Sequence, residues 1–416
     1  MPQHSKGASR FQPRRRDVLR AATAAAAAGV AGFPGLVLGQ SNPKTVKIGM
    51  IQPMTGIFAY NGQQSMAGAK LAADEINARG GIKSLGGAKI ELVVGDSQSK
   101  PEAAVAEVDK LSEQGVACFL GGYASGLALT ATQASARNKV PFMVDGPVSD
   151  QITQRGLYGV FHFSPGFKRI TDVALDNLVA INKAAGNPAK TVILVHEDGA
   201  FGSGLAKFLA AELPKRGFQV LESIAHPTPT RDFTNIGLRL RAAKPDLVVP
   251  SSYLNEYTLL ARSIHQHKVP MKGIYSVIGG GASNAKFIRE YNAAAQYIMD
   301  TNHWVDPKKP KTRQFVQTLE KNNIDLTYEV MLNYSDLLLI ADAIERAGSA
   351  DRDKITQALA ASTFADHIMP YGPTKFVNGQ NEGAQPITTQ VQKMAIEVIQ
   401  PPEFASAKAV FPIPAA

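Results

Sequence analysis

Apolar and polar residues follow two different periods along this chain from Thr45 onward. Short runs rich in Val, Ile and Leu predict strands that are buried on both faces. Between these runs, apolar residues recur every three or four positions, as at 63–79, which predicts helices. The first series of strands is predicted at 46–51, 89–95, 116–120 and 140–144. Strands that alternate with helices predict a parallel sheet with helices on both faces.

A second series of the same kind begins beyond a long predicted helix that ends near Ala185. Its strands are predicted at 191–195, 219–224, 246–249 and 273–277, with helices between them. A chain of 416 residues is long enough for two domains. The two series therefore predict an α/β protein with two doubly wound parallel-sheet lobes.

The C-terminal part does not have the pattern of a third domain. Residues 303–365 are predicted to be helical without a strand, so we expect them to return and cover the first lobe. A final strand at 388–399 is expected to return to the second lobe. The chain then crosses between the lobes three times, which predicts a three-segment hinge. The expected limits are 45–163 plus 303–365 for lobe I, and 164–302 plus 366–416 for lobe II.

The first 39 residues have the organisation of an export signal. Arg15-Arg16 precede an uncharged, alanine-rich run at 21–38, and polar residues follow from Gln40. This order is typical of a secretory signal peptide, and paired arginines at this place are typical of the twin-arginine class. A transmembrane anchor is disfavoured because the run contains several glycines and Pro34. We therefore expect cleavage and a mature periplasmic protein that does not insert into the membrane.

Composition matters here mainly through the classes of protein that it excludes. The net charge is +9, but residues 1–40 hold six basic residues against one acidic residue, so the remainder carries only +4. Long basic runs interleaved with aromatic residues do not occur, which argues against a nucleic-acid partner. Cys118 is the only cysteine, which rules out an intramolecular disulfide and any site with several cysteine ligands.

Several sequence blocks resemble the leucine/isoleucine/valine-binding family, the periplasmic solute receptors of ABC importers. The blocks are KIGMIQPMTG at 47–56, GAKLAADEINARGGI at 68–82, LVVGDSQS at 92–99, FLGGYAS at 119–125, HEDGAFGSG at 196–204 and KPDLVV at 244–249. The resemblance implies the type I periplasmic binding fold, in which a ligand lies in the cleft between two lobes. The expected partners are a small-molecule ligand and an inner-membrane permease, and we expect a monomer.

Candidate ligand contacts lie directly after predicted strands, because open α/β sheets bind ligands beyond the carboxyl ends of their strands. Ser125 begins a helix after such a strand, so its hydroxyl is a candidate for a ligand carboxylate, and capping its own helix is the alternative role. The resemblance implies contacts with an amino acid at Ser125, Pro147 and Ser149. The remaining cleft candidates are Tyr60, Asn61, Tyr123, His162, Phe201, Tyr253 and Ile278.

The chain departs from the family where the ligand's amino group is expected. The resemblance implies an acidic residue after the strand at 273–277, but Ile278-Gly279-Gly280-Gly281 stands there, and Phe201 replaces a usual tyrosine. An ammonium buried without a counter-charge is costly. The expected ligand is a hydrophobic or branched-chain amino acid, or a related small or aromatic carboxylate or amide, and this departure favours the latter group. Glu256 and Asp145 are alternative partners for an ammonium.

Patterns for catalysis and cofactor binding are weak. Residues 199–204 follow a predicted strand and open a helix, but their glycines do not have the Gly-x-Gly-x-x-Gly spacing of a dinucleotide loop. His265 and His267 point to different helix faces, which disfavours a metal site. We therefore expect no catalytic residue, cofactor or metal. An extracytoplasmic sensor of the same fold is the alternative function, and an NAD-dependent oxidoreductase is the enzyme alternative.

Overall fold

Two seven-stranded sheets, each flanked by helices, form the protein in a computed structural model that describes residues 43–414. The prediction of an α/β protein with two doubly wound lobes is confirmed. The expected signal peptide, residues 1–39, lies outside the described residues. Among the helices at 43–414, none combines the length and the apolar character that a bilayer crossing requires.

The strands occur in three runs along the chain. The first run comprises β1 (Thr45–Gln52), β2 (Lys89–Asp96), β3 (Cys118–Gly121), β4 (Phe142–Val144) and β5 (Val160–His162). The second comprises β6 (Thr191–Glu197), β7 (Gln219–His226), β8 (Leu247–Ser251), β9 (Gly273–Val277) and β10 (Met299–Asn302). The C-terminal run comprises β11 (Phe376–Val377), β12 (Gln380–Asn381), β13 (Ile387–Gln392) and β14 (Ala395–Gln400).

Helices connect most of these strands. Those of the first half are α1 (Ala59–Ala78), α2 (Pro101–Glu113), α3 (Ser125–Arg137), α4 (Gln151–Gln154), α5 (Phe167–Ala184) and α6 (Gly202–Glu212). Those of the second half are α7 (Thr234–Ala243), α8 (Leu254–Gln266), α9 (Ala285–Glu290), α10 (Asn292–Ala295), α11 (Pro310–Lys321), α12 (Tyr328–Ala347) and α13 (Arg352–Ala360).

Parallel pairing dominates both sheets. The spatial order is β11-β12-β5-β4-β3-β1-β2 in the first sheet and β14-β13-β10-β9-β8-β6-β7 in the second. Strands β1 to β5 pair in parallel with one another, and so do β6 to β10. Antiparallel pairs are confined to the C-terminal run, where β11 pairs with β12 and β13 pairs with β10 and β14. Helical crossovers between parallel strands explain why the sequence alternates as it does.

The C-terminal run differs from the sequence prediction. The single strand predicted at 388–399 is wrong, because β13 and β14 form an antiparallel hairpin that turns at Lys393 and Met394. Both turn residues have positive φ values, of 50° and 69°, at positions where turn prediction relies on Gly or Asn. Strands β11 and β12 pair with the first sheet, although the expected limits assign 366–416 to lobe II. Strands of two residues are too short to show a period.

The helical segment at 303–365 packs on the first sheet. Ile340 of α12 is buried in the same apolar core as Ile48 of β1. Helices α12 and α1 approach so closely that a Cβ at Gly68 would lie 2.2 Å from the Val330 carbonyl oxygen. The absence of a side chain at Gly68 therefore permits this helix crossing.

Three connections join the two sheets. The chain leaves the first sheet between β5 and α5, returns between β10 and α11, and leaves again between β12 and β13. Connections of this kind allow two lobes to move as rigid bodies about a hinge.

Candidate ligand-binding site

A small cavity lies where segments of both lobes meet beyond the carboxyl ends of their strands. Its lining residues from the first lobe are Tyr123, Ser125, Gly146, Pro147, Val148 and Tyr328, and those from the second are Phe201, Ser252, Tyr253, Ile278 and Gly280. The cavity volume is about 20 Å³, enough for about one water molecule. A larger solute therefore enters only when the lobes separate or the lining moves.

Aromatic rings from both lobes pack together beside this cavity. The ring centroid of Phe58 lies 5.2 Å from that of Tyr123 and 4.6 Å from that of Tyr253. The Tyr253 ring also lies 6.0 Å from Tyr123 and 5.1 Å from Phe201. The cluster bridges the lobes, because Phe58 and Tyr123 belong to the first lobe and the other two rings to the second. Such a wall suits the apolar part of a small ligand.

The first lobe presents buried hydroxyl groups that lack partners. Ser125 is the first residue of α3, and Ala124 occupies the capping position, so the Ser125 side chain does not cap the helix. Within residues 43–414, neither Ser125 Oγ nor the Tyr123 hydroxyl has a hydrogen-bond partner. Buried polar groups are normally paired, so these two are available to a ligand. The start of α3 adds free N–H groups and a partial positive charge, which favour a carboxylate.

Both acids considered as partners for an ammonium already accept hydrogen bonds from the protein. The oxygens of Asp145 accept hydrogen bonds from the Tyr123 backbone N–H at 3.0 Å and the Gln52 amide at 2.8 Å. Glu256, in the first turn of α8, accepts a bond from the Thr230 backbone N–H at 3.4 Å. Burial raises the pKa of Glu256, which favours its neutral form.

Glu329, which the sequence analysis missed, is a buried acid with one unpaired oxygen. It is the second residue of α12, directly after the lining residue Tyr328, and it is buried. Its Oε1 accepts a hydrogen bond from Asn61 Nδ2 at 2.6 Å, and its Oε2 has no partner in the described residues. Burial raises the pKa of Glu329, because desolvation disfavours the carboxylate. The sequence signal that could have indicated Glu329 is an acidic residue in the first turn of a strongly apolar helix.

The glycine run after β9 has a packing role. A Cβ at Gly279 or Gly281 would lie 2.8 or 2.5 Å from the ring of Tyr257. A Cβ at Gly280 would lie 2.6 Å from the Leu254 backbone nitrogen at the start of α8. An acidic side chain therefore does not fit at these three positions, which explains in physical terms why this chain lacks one there.

Six of the ten residues predicted from sequence line the cavity, and four do not. The four are Tyr60, Asn61, Ser149 and His162. Tyr60 is half-buried, with the Lys286 ammonium 4.6 Å from its ring centroid. Asn61 contacts Glu329 instead of the cavity. Ser149 lines a separate cavity of about 630 Å³ next to α4 and α6.

His162 lies in β5, at the first connection between the sheets, and is fully buried. Its Nδ1 is 2.9 Å from Gln380 Oε1 and its Nε2 is 2.9 Å from Ser164 Oγ. Burial lowers the pKa of His162 to about 4, so the ring is neutral near pH 7. Both ring nitrogens are therefore used within the hinge region.

Other lining residues were absent from the prediction. They are Gly146, Val148, Ser252, Gly280 and Tyr328. Gly146 and Val148 adjoin the predicted Pro147, and Ser252 adjoins Tyr253. Their positions just after strands could therefore have predicted them as lining residues. Tyr328 begins a helix instead of following a strand, and no pattern in the sequence links it to the cleft.

The glycine-rich segment at 199–204 uses its own amides. The Glu197 carboxylate accepts hydrogen bonds from the backbone N–H groups of Gly199 and Gly202, at 2.7 and 2.6 Å. These N–H groups are consequently occupied and do not form a phosphate cradle. Within the described part of the chain, no cluster of three His, Cys, Asp or Glu side chains is arranged to hold a metal ion.

Comparison with known proteins extends over nearly the whole described chain. The family model described as "Periplasmic binding protein" matches residues 45–393. The chain belongs to the periplasmic binding protein family. A curated relative, the Leu/Ile/Val-binding protein BraC3 of Rhizobium johnstonii, is 30% identical over 316 residues, which cover 76% of this chain and 83% of the relative. The resemblance inferred from the sequence blocks is thereby confirmed.

Solved structures of periplasmic binding proteins share the fold. The branched-chain amino acid transporter substrate-binding protein LivJ of Streptococcus pneumoniae, in complex with isoleucine, matches with a TM-score of 0.72 and 21% identity over 88% of this chain and 100% of that chain. A solute-binding protein of an ABC transporter from R. palustris, in complex with benzoate, matches with a TM-score of 0.74 and 19% identity over 88% of this chain and 97% of that chain.

Proposed function

We propose that this periplasmic binding protein is the solute-binding component of an ABC importer, closing its lobes on a small organic solute and delivering it to a permease. The observation that carries the proposal is the cavity lined by residues of both lobes. Relatives named as Leu/Ile/Val-binding proteins support the class of solute. Because both lobes contribute contacts only when closed, a ligand stabilises closure by its higher affinity for that form.

For the ligand, we propose a small carboxylate with an apolar or aromatic body. Ser125 Oγ and the start of α3 are the partners for the carboxylate, and the rings of Tyr123, Tyr253 and Phe201 are the wall for the body. The lining residues contributed by the second lobe carry no charged side chain. A ligand without an ammonium is therefore favoured, and benzoate, found in the R. palustris complex, has this chemistry.

Isothermal titration calorimetry of the mature chain tests this proposal. The panel contains leucine, isoleucine and valine on one side, and benzoate with other aromatic and aliphatic acids on the other. We expect at least one carboxylate without an amino group to bind with a Kd of about 1 μM or tighter. Nanomolar binding of leucine would contradict the proposed ligand class, and no binding across the panel would contradict the role assigned to the cavity.

The free oxygen of Glu329 favours a second candidate, an α-amino acid. Its ammonium would pair with Glu329 Oε2 from the first lobe, in place of the acid missing from the second. In that case Glu329→Gln weakens amino-acid binding by about tenfold or more and leaves benzoate binding within a factor of about two. Glu256→Gln, in another buried acid, is the matched control and is expected to change neither affinity strongly.

Export by the twin-arginine route and a monomeric state complete the proposal. Replacement of Arg15 and Arg16 by lysine is expected to abolish periplasmic accumulation, because paired arginines are the distinguishing feature of that signal. Fractionation of cells followed by immunodetection measures this, and unchanged export of the double variant would favour the general secretory route. Light scattering of the purified mature chain measures its oligomeric state.

A further inference from the structure

Two residues of the cavity lining have an unusual backbone conformation. Tyr123 has φ = 43° and Ile278 has φ = 52°, the left-handed region that favours glycine. In residues 43–414, Ile278 is the one β-branched residue with a positive φ, and β-branched residues are least suited to it. One of the two lies in each lobe. Such conformations persist only where the surrounding structure enforces them.

In the first lobe, a buried aspartate from the neighbouring strand holds this conformation. Tyr123 follows β3, and Asp145 follows β4, which pairs with β3. Asp145 Oδ1 accepts the Tyr123 backbone N–H at 3.0 Å. Its Oδ2 is fixed by Gln52 Nε2 at 2.8 Å and Asn333 Nδ2 at 3.1 Å. The acceptor is thus locked in place, since Asp145 is only 1% exposed.

In the second lobe, a related arrangement holds the peptide group after Ile278, while the Ile278 N–H donates to the Thr301 carbonyl oxygen at 2.9 Å. Ile278 follows β9, and Asp300 lies on the neighbouring strand β10. Asp300 Oδ1 accepts the backbone N–H of Gly279, the peptide group directly after Ile278, at 2.9 Å. Its Oδ2 accepts bonds from Ser283 Oγ at 2.7 Å and Asn302 Nδ2 at 3.0 Å. Burial raises the pKa of Asp300 to about 6, a cost that these hydrogen bonds to the carboxylate oppose.

We propose that Asp145 and Asp300 are positioning residues that hold Tyr123 and Ile278 in the left-handed conformation and so set the shape of the ligand cavity. Neither carboxylate lines the cavity; each acts through the backbone of a residue that does. The likeness between the lobes supports the assignment, because Asp145 directly follows the strand next to β3 and Asp300 lies on the strand next to β9. The consequence for ligand selection rests on the proposed binding function, whereas the backbone role does not.

Amide hydrogen exchange and calorimetry together test this inference on the full mature chain. Asp300→Ala is expected to speed exchange of the Gly279 amide by about tenfold or more, because its acceptor is lost. Asp300→Asn retains an acceptor oxygen, so its Gly279 amide is expected to exchange more slowly than that of Asp300→Ala. In the first lobe, Asp145→Ala and Asp145→Asn are expected to give the same order for the Tyr123 amide.

The Ile278→Gly variant distinguishes a positioning role of Asp300 from a general contribution of Asp300 to stability. Glycine adopts the left-handed conformation without strain, so Asp300→Ala should weaken binding of benzoate or isoleucine less in the Ile278→Gly background than in the wild type. Ser283→Ala, which removes another bond to Asp300, is the matched control and should leave the Gly279 amide protected.

Two results would overturn the inference: unchanged Gly279 exchange in Asp300→Ala, or equal affinity losses in both backgrounds. If Asp300→Ala does not fold, Asp145→Ala carries the exchange measurement. Faster exchange of the Tyr123 amide in a folded Asp145→Ala variant supports the inference, and unchanged exchange overturns it. If the wild type binds neither benzoate nor isoleucine, the proposed ligand class fails, and the exchange rates alone decide whether the aspartates position these residues.

Discussion

The two lobes contribute unlike surfaces to one cavity. The first lobe lines it with buried polar atoms that lack partners in the described residues, namely the Tyr123 hydroxyl and Ser125 Oγ, and Glu329 Oε2 is a further unpaired atom directly after the lining residue Tyr328. In the second lobe, the hydroxyl of the lining residue Ser252 is paired internally, because Ser252 Oγ contacts His226 Nε2 at 2.8 Å. The second lobe lines the cavity mainly with apolar or aromatic side chains, those of Phe201, Tyr253 and Ile278.

This difference assigns separate tasks to the lobes. Hydrogen bonds depend on direction and distance, so the first lobe is suited to select and orient the polar end of a ligand. Burial of apolar surface is non-directional, so the second lobe is suited to stabilise closure over whatever ligand is already held. The ligand is then expected to contact the first lobe in the open form, and the second lobe only on closure.

Removal of the aromatic link between the lobes should have the largest effect. Tyr253 packs against Phe58, Tyr123 and Phe201. We expect Tyr253→Ala to weaken ligand binding by about 3 kcal/mol, or about 100-fold in Kd, because it removes the ring on which closure depends. Calorimetry with the best ligand of the panel measures this.

The matched control for that variant is Tyr291→Ala. Tyr291 stacks on Phe287 in the second lobe, with ring centroids 5.5 Å apart, away from the cavity. It should lower the free energy of unfolding without an equal loss of affinity. Similar affinity losses in the two variants would show that Tyr253 acts only through the stability of the second lobe.

A smaller effect is expected from the polar surface of the first lobe. Ser125→Ala removes the hydroxyl that we assign to the ligand carboxylate, at a cost of about 1.5 kcal/mol or about tenfold in Kd. The loss should be confined to ligands with a carboxylate and should be absent for the corresponding amides. Ser135→Ala on the same helix is the control, because Ser135 Oγ donates to the Val140 carbonyl oxygen and not towards the cavity. An equal loss for acid and amide would break the assignment of carboxylate binding to the first lobe.

Strand-end position, read from the sequence, predicted more of this site than side-chain chemistry did. Ser125, Tyr123, Tyr253 and Ile278 follow strands whose periodicity was clear, and all four line the cavity. Tyr328 was missed because its place depends on how α12 packs back on the first sheet after a long excursion of the chain. The sequence also did not show which polar groups lack a hydrogen-bond partner, since this depends on distances between residues far apart in sequence.

The fold shows the same limit. The parallel sheets followed from repeated strand and helix periods, whereas the C-terminal hairpin and the two short strands of the first sheet did not. The turn of the C-terminal hairpin occurs at Lys393 and Met394, residues without a turn preference. The two short strands turn at Asn378 and Gly379, which do favour a hairpin turn, but strands of two residues have no period to read and their pairing depends on the sheet edge already present. Local periodicity therefore defined the repeating core, and tertiary contacts defined its edges.

The smallest effect should come from adding a polar group to the apolar lobe. Phe201→Tyr restores the hydroxyl that the family resemblance implies, at a ring that is 5% exposed. If the ligand lacks an amino group, the new hydroxyl is buried without a partner, and binding should weaken by about 1 kcal/mol or about fivefold. If the ligand is an α-amino acid, the hydroxyl gains a partner and affinity should hold or improve. Phe208→Tyr, at a half-buried ring outside the cavity, is the control and should leave the Kd unchanged. The sign of the change in Kd for Phe201→Tyr then reports whether the ligand offers the second lobe a polar group.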